Sequence, residues 1–166
     1  MDHLWSPWRY RYVSTHKADA PEACIFCAKP AAQDDDTHFI VLRAQYNFVL
    51  LNLYPYTNGH LMIAPYEHVA SLSDAHPDTM AEMMRLTVRC EKALMQLYHP
   101  HGINLGMNLG EAAGAGIAGH IHMHMLPRWR GDASFMSTIS ETRVLPEDLP
   151  TTYKRLQSAL ASPPQQ

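Results

Sequence analysis

The stretch His120-Ile121-His122-Met123-His124-Met125-Leu126 alternates three histidines with large apolar residues. An α-helix makes no use of this pattern, because residues two apart lie on different helix faces. In a β-strand the side chains alternate between two faces, so the isoleucine and the two methionines enter the core while the imidazoles line the opposite face. Neighbouring imidazoles are then expected roughly 6.5–7 Å apart, since a strand rises about 3.3 Å per residue. The pattern therefore predicts a strand over residues 120–126 that carries a row of imidazoles.

A row of imidazoles on one face suggests chemistry at phosphorus. Near neutral pH an imidazole can act as a nucleophile, a hydrogen-bond donor or a proton carrier, and attack on a phosphate needs these groups. The alternatives are a metal-binding histidine tract and a merely exposed run of histidines. Such tracts rarely alternate so strictly with residues of buried type, so the pattern favours catalysis.

A glycine-rich segment comes directly before the histidines. Within ten residues it contains Gly110, Gly114, Gly116 and Gly119. Glycine lets the backbone approach an anion closely and direct N–H groups at it. A plain flexible loop is the alternative, but beside three histidines the segment predicts an oxyanion site.

Two longer segments resemble a known family. The first runs from Asn108 to Gly116 (NLGEAAGAG) and continues through residues 120–126 to Pro127-Arg128-Trp129; the second runs from Asn52 to Pro65 (NLYPYTNGHLMIAP). Together they are similar to the histidine-triad (HIT) family of nucleotide hydrolases and transferases, and the resemblance covers roughly residues 24 to 136. It is specific, because the histidine spacing, the apolar spacing and the glycine-rich approach all coincide.

The resemblance implies roles for the histidines. In the family the middle histidine attacks the α-phosphate and forms a nucleotidyl-histidine intermediate, a role that falls on His122. His124 is expected to contact the phosphate and to assist the leaving group. His60 also has a family counterpart, buried beneath the nucleotide site, and both a structural and a functional role are open for it.

The resemblance also implies substrate contacts. Asn108 matches a position that contacts phosphate oxygens, and Asn52 matches one near the ribose, although a hydrogen bond at the end of a strand is an equal alternative for it. Many members carry Gly-Gln-Ser or Gly-Gln-Thr before the triad, whereas this chain has GAGIAG at residues 114–119. The backbone N–H groups of Gly116 and Ile117 are expected to replace the missing side-chain contacts.

Two cysteines point to a metal site. Cys24 and Cys27 have the C-x-x-C spacing of half a tetrahedral zinc site, and the chain has no second C-x-x-C, so histidines must complete it. In zinc-containing HIT relatives these histidines correspond to His68 and His120. Such a closed Cys₂His₂ site is structural. A redox pair is the alternative, favoured where C-x-x-C opens a helix beside a parallel βαβ unit; the sequence shows no such context, so zinc is favoured.

Composition limits the class of protein. The chain has 166 residues, 46% of them hydrophobic and 17% charged, with a formal net charge of −3, as expected of a folded protein without a basic surface for nucleic acid. No run reaches the about 18 apolar residues of a membrane span, and the N-terminus shows no apolar signal-peptide core. Three cysteines without a disulfide framework suit the reducing cytoplasm.

The patterns predict an α+β fold, with a mainly antiparallel sheet of about five strands and one long helix. That helix is expected from His76-Pro77-Asp78 to about Tyr98, with an apolar stripe that includes Cys90 as a core residue. Other expected elements are a loop at Asp34–Asp36, strands over 38–43, 46–53, 60–65 and 103–109, a loop over 110–119 and a helix over 149–160. We expect one HIT-like domain over 1–166, with an N-terminal arm at 1–23, a core at 24–136 and a C-terminal extension at 137–166 that ends in a disordered tail at 162–166. The resemblance implies a homodimer.

The function implied by the resemblance is hydrolysis of a nucleotide phosphoanhydride, as in a diadenosine polyphosphate, through the nucleotidyl-histidine. The altered glycine loop and the opening from Leu4 to Tyr12 resemble the bacterial branch grouped with dinucleoside polyphosphate hydrolases and phosphorylases. Transfer of AMP to inorganic phosphate is therefore an alternative. Two others stay open: a nucleoside phosphoramidate hydrolase, and a nucleotide-binding regulatory protein with incidental catalysis.

Overall fold

The computed structural model describes residues 24–133 and 146–161. The predicted arm at 1–23, with its opening from Leu4 to Tyr12, and the predicted tail at 162–166 lie outside the described residues. In chain order the elements are helix α1 (Ile25–Ala31), helix α2 (Asp35–His38), strands β1 (Ile40–Arg43), β2 (Asn47–Leu51) and β3 (Leu61–Pro65), helix α3 (Pro77–Tyr98), strand β4 (Gly102–Gly106), a 3-10 helix (Glu111–Ala113), strand β5 (Met123–Arg128) and helix α4 (Leu149–Ala161).

The five strands form one sheet in the order β1-β2-β3-β5-β4, and every neighbouring pair is antiparallel. The predicted α+β fold is therefore confirmed. β5 follows β4 in the chain but inserts between β3 and β4, so the histidine segment lies inside the sheet rather than at its edge. Strands β2 and β3 are buried on both faces, because helices cover the sheet from both sides.

Helices α3 and α4 cover one face. As predicted, α3 buries an apolar stripe at helical spacing, and this stripe packs with α4 and the sheet. The stripe consists of Met83, Leu86, Cys90, Ala93 and Leu94. Burial raises the pKa of the Cys90 thiol to about 12, which confirms it as a core residue. Each fully buried aliphatic side chain contributes about 1.5–3 kcal/mol. None of the helices in the described part of the chain is long and apolar enough to cross a membrane.

Helix α1 packs against the other face through a second apolar cluster. This cluster contains Phe26 of α1 together with Ile40, Phe48, Leu50, Met62 and Ala64 of the sheet. Met62 lies opposite His124 in the register of β3 and β5, so the two side chains share one face. Helix α1, which follows Cys24 and contains Cys27, therefore lies on the same face of the sheet as His124.

The region around residue 38 was predicted wrongly. Asp34–Asp36 was expected to be a loop and residues 38–43 a strand, but α2 occupies Asp35–His38. The helix forms because the Asp34 side chain accepts the Thr37 N–H at 3.2 Å and so caps its first turn. Phe39 then takes a left-handed φ of 53° and ends it, which delays β1 to Ile40.

Two strand ends near the histidines were also predicted wrongly. The strand expected over 120–126 begins only at Met123, because the Ile121 N–H donates to the Val69 carbonyl at 2.8 Å and so leaves the sheet ladder. The strand expected over 103–109 ends at Gly106. The expected helices over 76–98 and 149–160 are confirmed to within one residue.

One carboxylate fastens α4 to the rest of the protein. Glu147 accepts hydrogen bonds from Asn58 Nδ2 at 3.3 Å, from the Tyr98 hydroxyl at 2.7 Å and from the Thr152 hydroxyl at 2.8 Å. It also forms an ion pair with Arg155. These partners belong to the β2–β3 loop, to α3 and to α4, so a single side chain joins three elements.

Candidate functional site

The triad histidines gather on the face covered by α1, but not as the predicted open row. His124 lies within β5, opposite Met62 and Gly106, while His120 and His122 precede the strand. The ring centroids of His122 and His124 are 4.9 Å apart in an edge-to-face arrangement, so the predicted spacing of about 6.5–7 Å was wrong. The two rings are closer than the spacing along a regular strand, and the backbone of His122 lies outside that strand. His120 and His122 are only 0% and 5% exposed.

The structure determines which nitrogen of His122 carries a lone pair. Its Nδ1 lies 2.9 Å from the carbonyl oxygen of His120. A carbonyl oxygen only accepts, so Nδ1 carries the proton and donates, and Nε2 keeps its lone pair. Burial lowers the pKa of His122 below its ordinary value, which leaves the ring neutral near pH 7. A neutral imidazole with an oriented Nε2 lone pair is the form that attacks phosphorus.

His60 sets the tautomer of His124. The Nδ1 atom of His60 accepts the Tyr56 N–H at 3.2 Å, so the proton of this ring is on Nε2. That Nε2–H donates to His124 Nδ1 across 2.9 Å, which leaves the other nitrogen of His124 as an N–H donor. Burial, followed by the neighbouring His122, lowers the pKa of His124 to about 4. Of the two roles left open for His60, the geometry favours the functional one.

The glycine-rich segment forms a loop with unused amides. Gly110 and Gly114 take positive φ values of 79° and 88° on either side of the 3-10 helix, a conformation that glycine adopts without strain. Among the residues that the structure describes, the N–H groups of residues 116–119 donate to no acceptor. Four consecutive amides directly before His120, with no acceptor among the described residues, are candidate donors to an anion.

The two asparagines predicted to contact substrate support the loops of the site. Asn108 Nδ2 donates to the Gly114 carbonyl at 3.3 Å and so braces the glycine loop. Asn52 Oδ1 accepts the Tyr54 N–H at 3.0 Å, which directs its Nδ2 towards His60 Nδ1 at 3.3 Å. Their contacts to phosphate and ribose stay predictions.

The predicted metal ligands come together from three parts of the chain. The ligand atoms of Cys24, Cys27, His68 and His120 all lie within 4.8 Å of one another. His120 Nδ1 is 3.4 Å from Cys24 Sγ and 3.6 Å from Cys27 Sγ, and His68 Nδ1 is 3.3 Å from Cys27 Sγ. Tetrahedral zinc, with Zn–S of about 2.3 Å and Zn–N of about 2.0–2.1 Å, requires S···N separations of about 3.6 Å. The donor set and its spacing fit zinc.

The surroundings of these ligands also fit a cation. His120 Nε2 lies 2.9 Å from the Pro65 carbonyl, so it donates there and leaves the Nδ1 lone pair facing the cysteines. Burial, followed by the adjacent Cys24, raises the pKa of the Cys27 thiol. A bound dication reverses this effect, because it stabilises both thiolates. His120 thus has two functions: its ring faces the metal site and its carbonyl orients His122.

The context of the cysteine pair differs from the prediction. Cys24 is the N-cap of α1 and Cys27 lies in its first turn, so the pair does open a helix. The neighbouring sheet is antiparallel, however, so the parallel βαβ unit of redox pairs is missing from the described fold. The two histidine donors beside the pair favour a metal.

Two aromatic residues of the site were not predicted. The Phe26 ring packs 4.6 Å from that of His122 and 5.3 Å from that of His120. The Tyr56 ring lies 4.8 Å from that of His60 and 6.3 Å from that of His124, nearly parallel to the latter. The sequence could have indicated both residues, because each is an aromatic residue inside a motif that already carries predicted site residues.

The sequence profile of the HIT domain matches residues 33–131. This chain belongs to the HIT domain family. An AP-4-A phosphorylase of Mycobacterium tuberculosis is 36% identical to this HIT protein over 170 residues, which cover 99% of this chain and 87% of the relative. An adenosine 5'-monophosphoramidase of Saccharomyces cerevisiae is 29% identical over 122 residues, which cover 70% of this chain and 72% of that enzyme.

Solved structures agree with the assignment to the HIT family. The crystal structure of a Zn-bound histidine triad family protein from Mycobacterium smegmatis superposes with a TM-score of 0.69 at 30% identity, covering 86% of this chain and 96% of that one. A histidine triad nucleotide-binding protein from Sulfolobus tokodaii superposes with a TM-score of 0.68 at 23% identity, covering 83% of this chain and 92% of that one. The predicted family and fold are confirmed, and the named relatives of this HIT protein include enzymes that process nucleotides.

Proposed function

We propose that this HIT protein transfers AMP from a diadenosine polyphosphate to inorganic phosphate through a nucleotidyl-histidine on His122. The observation that carries the proposal is the Nε2 lone pair of His122, which stays available because Nδ1 donates to the His120 carbonyl, in a chain whose glycine-rich loop directly precedes the three histidines. A nucleophile together with N–H donors to an anion suits displacement at phosphorus. The relative named AP-4-A phosphorylase, 36% identical over 99% of this chain, supports both the dinucleotide and the acceptor.

In the first half-reaction His122 Nε2 forms a bond to the α-phosphorus and the bridging P–O bond breaks. With diadenosine tetraphosphate the electron pair leaves on ATP, which is a stable anion and needs no proton to depart. Neutral His124 therefore supports the departure by donating a hydrogen bond from Nε2–H. The amides of residues 116–119 compensate the charge on the α-phosphate oxygens.

In the second half-reaction an oxygen of inorganic phosphate attacks the α-phosphorus and the P–N bond breaks. The products are ADP and free His122, and the proton of the attacking phosphate goes to solvent. His122 Nδ1 keeps its own proton throughout, because it donates to the His120 carbonyl in both half-reactions. In this proposal the backbone N–H groups of residues 116–119 are the donors to the α-phosphate and to a second oxyanion.

Product analysis tests the acceptor. Diadenosine tetraphosphate is incubated with ³²P-labelled inorganic phosphate, and the expected products are ATP and labelled ADP in equal amounts. AMP and ATP at saturating phosphate, without label in any nucleotide, would exclude phosphorolysis and establish hydrolysis, which is the second candidate and the one that the sequence favoured.

A phosphoramidate substrate is the third candidate, supported by the yeast monophosphoramidase at 29% identity. It shares the attack by His122 and differs in its leaving group, since departing ammonia must take up a proton, and the Nε2–H of neutral His124 is too weak an acid to supply it. Comparison of kcat/KM for adenosine phosphoramidate and diadenosine tetraphosphate decides between the two substrates. Tight nucleotide binding without turnover of either would indicate a regulatory protein.

We propose that Cys24, Cys27, His68 and His120 hold one structural zinc ion. Their sulfur and nitrogen atoms are donors that zinc prefers, and the separations between them suit a tetrahedral site. When bound, zinc supplies folding energy rather than an activated water, because four protein ligands close the site. The Zn-bound relative from Mycobacterium smegmatis supports the identity of the metal. The roles that follow for this chain are positional: α1 is held against the sheet, and the His120 carbonyl is held against His122 Nδ1.

We propose that two copies of the chain pair through β4 and α3. β4 lies at one end of the strand order, so one of its edges is unpaired in the described sheet. Leu105 on this strand and Met84, Val88 and Met95 on α3 are exposed large apolar side chains. Light scattering is expected to give the mass of a dimer for the native chain and of a monomer for Leu105→Arg; a monomeric native chain would contradict the pairing.

Three other predictions concern the cellular compartment, the domain boundaries and the binding partners. The three cysteines form no disulfide with one another, and the cytoplasmic compartment stays a prediction. The division into arm, core and C-terminal extension stays a prediction as well. The expected lack of nucleic-acid and membrane partners rests on composition alone.

A further inference from the structure

The loop between β2 and β3 presents three exposed large side chains beside the site. Leu53, Tyr54 and Tyr56 are 40%, 82% and 48% exposed. A tyrosine with 82% exposure gains little from folding, because almost none of its ring is removed from water. Of these three, the Tyr56 ring packs against His60 and His124, and exposed aromatic groups next to a site often contact another molecule.

The exposure does not come from a loose backbone. The Tyr54 N–H donates to Asn52 Oδ1 at 3.0 Å, and the Tyr56 N–H donates to His60 Nδ1 at 3.2 Å. Nearer to β3, the Asn58 side chain donates to Glu147. The loop is thus fixed at several points while its aromatic side chains project, so a ligand that binds them meets a preorganised surface.

The rings of the site follow one another from the buried Phe26 to the half-exposed Tyr56. Successive centroids are 4.6 Å apart from Phe26 to His122, 4.9 Å from His122 to His124, and 6.3 Å from His124 to Tyr56. The His124 and Tyr56 rings are within 20° of parallel. In displacement at phosphorus the attacking and leaving atoms are roughly in line. The Tyr56 ring lies beside His124 at the exposed end of this series, so it is placed to contact a leaving group that His124 supports.

We propose that Tyr54 and Tyr56 form the subsite for the departing nucleotide and stack on its purine base. The inference rests on the proposed function and adds a source of specificity to it. A dinucleotide has a second base to place on the two tyrosines, whereas a nucleotide with a small leaving group has none. Stacking on an aromatic ring is a general way to bind a base that is not inside a duplex.

Two substrates separate this role from a general role in catalysis. Diadenosine tetraphosphate and adenosine phosphoramidate both give the same AMP adduct on His122 and differ only in what departs. The ratio of their kcat/KM values therefore reports on the leaving group alone, because effects on His122 cancel. Tyr54→Ala and Tyr56→Ala are each expected to lower this ratio, and the double variant is expected to lower it about tenfold or more.

Matched variants complete the test. Tyr54→Trp and Tyr56→Phe keep an aromatic face and are expected to retain the ratio. Tyr46→Ala removes a tyrosine from the β1–β2 turn, where its hydroxyl bonds Gln45, and is expected to leave the ratio unchanged. The same comparison can be made without turnover in the His122→Ala protein, by calorimetry of diadenosine tetraphosphate against AMP.

An unchanged ratio in the double variant would overturn the subsite. A loss shared equally by both substrates would also overturn it, because it would reflect only the packing of Tyr56 on His60 and His124. Failure of the unmodified protein to cleave diadenosine tetraphosphate would instead refute the proposed function, and the subsite with it, before any variant is made.

Discussion

At the scale of the residue, three imidazoles have their protons placed by a backbone group that can only accept or only donate. The carbonyls of Pro65 and His120 accept from His120 Nε2 and His122 Nδ1, and the Tyr56 amide donates to His60. Because these partners belong to the backbone, the tautomers are fixed by the fold. The positions of these protons are therefore set before any ligand binds.

The attacking role of His122 gives the first prediction. His122→Ala is expected to reduce turnover by about three orders of magnitude or more, because the covalent step loses its only attacking atom, while nucleotide binding persists. Mass spectrometry after a single turnover should find an AMP adduct on His122 of the native chain and none in the variant. An adduct on any other residue would contradict the assignment.

The low pKa of His124 gives a prediction about stability. Below its ordinary pKa of about 6.5 the unfolded chain binds a proton at this residue, whereas the folded protein stays unprotonated down to about 4. The contribution of His124 to the free energy of unfolding is thus complete above about pH 6.5 and is lost as the pH falls to about 4. Urea titrations of His124→Asn should show a shallower dependence on pH across this window.

The control for that prediction is His99→Asn, which removes an exposed histidine from a left-handed position that asparagine tolerates. It is expected to retain the slope of the native chain. Equal slopes for the two variants would mean that the environment of His124 does not depress its pKa.

At the scale of the element, the β2–β3 loop meets α3 and β5 at Gly59. This residue has a φ of +74°, and a Cβ there would lie 3.1 Å from Leu94, 3.3 Å from Tyr98 and 3.4 Å from Pro127. Neither the conformation nor the space suits a side chain. The close approach holds the loop directly before His60.

Gly59→Ala is accordingly expected to lower the free energy of unfolding by about 2–5 kcal/mol, from the left-handed conformation and from overpacking together. Turnover should fall as well, because His60 shifts away from His124. Gly131→Ala is the matched control, since Gly131 has a φ of +79° but no atom within 4 Å of its added Cβ. Equal losses in the two variants, measured by urea unfolding, would show that packing at Gly59 contributes nothing.

The elements that could be predicted are those with a long periodic pattern. Helix α3 and the alternation around His122 are visible in the sequence, because their apolar spacing repeats over several turns or residues. The ends of β5 and the helix α1 could not be predicted. β5 starts late because of the Ile121–Val69 hydrogen bond, and α1 is a short helix whose Phe26 packs on histidines far away in sequence. Partners of this kind are visible only in the folded chain.

At the scale of the whole molecule, the four proposed metal ligands join distant parts of the chain. Cys27 and His68 are 41 positions apart, and Cys24 and His120 are 96 positions apart. The sequence could predict all four ligands because the family spacing specifies them. It could not show that His120 also orients the ring of His122, since this depends on its backbone carbonyl.

Removal of the metal should therefore affect stability first. Chelation is expected to lower the melting temperature of the native chain by on the order of 10 °C and to reduce turnover less severely. Cys24→Ser should melt low and respond little to the chelator. Cys90→Ala loses a core thiol but no ligand, so it should keep the full response. Purified protein without zinc by elemental analysis, and with a melting temperature unaffected by Cys24→Ser, would refute the site.

The bonds of Glu147 have a consequence for how the chain can be divided. The family match ends at residue 131, yet Asn58 and Tyr98 inside the match depend on a carboxylate sixteen positions beyond its end. Cys24 and Cys27 lie before its start. A recombinant fragment cut at residues 33 and 131 would keep His122 but lose half of the metal ligands and the anchor of the loop that carries His60. The smallest fragment that folds and functions by itself is therefore longer than the region recognised by similarity. It must include the segments on both sides of that region.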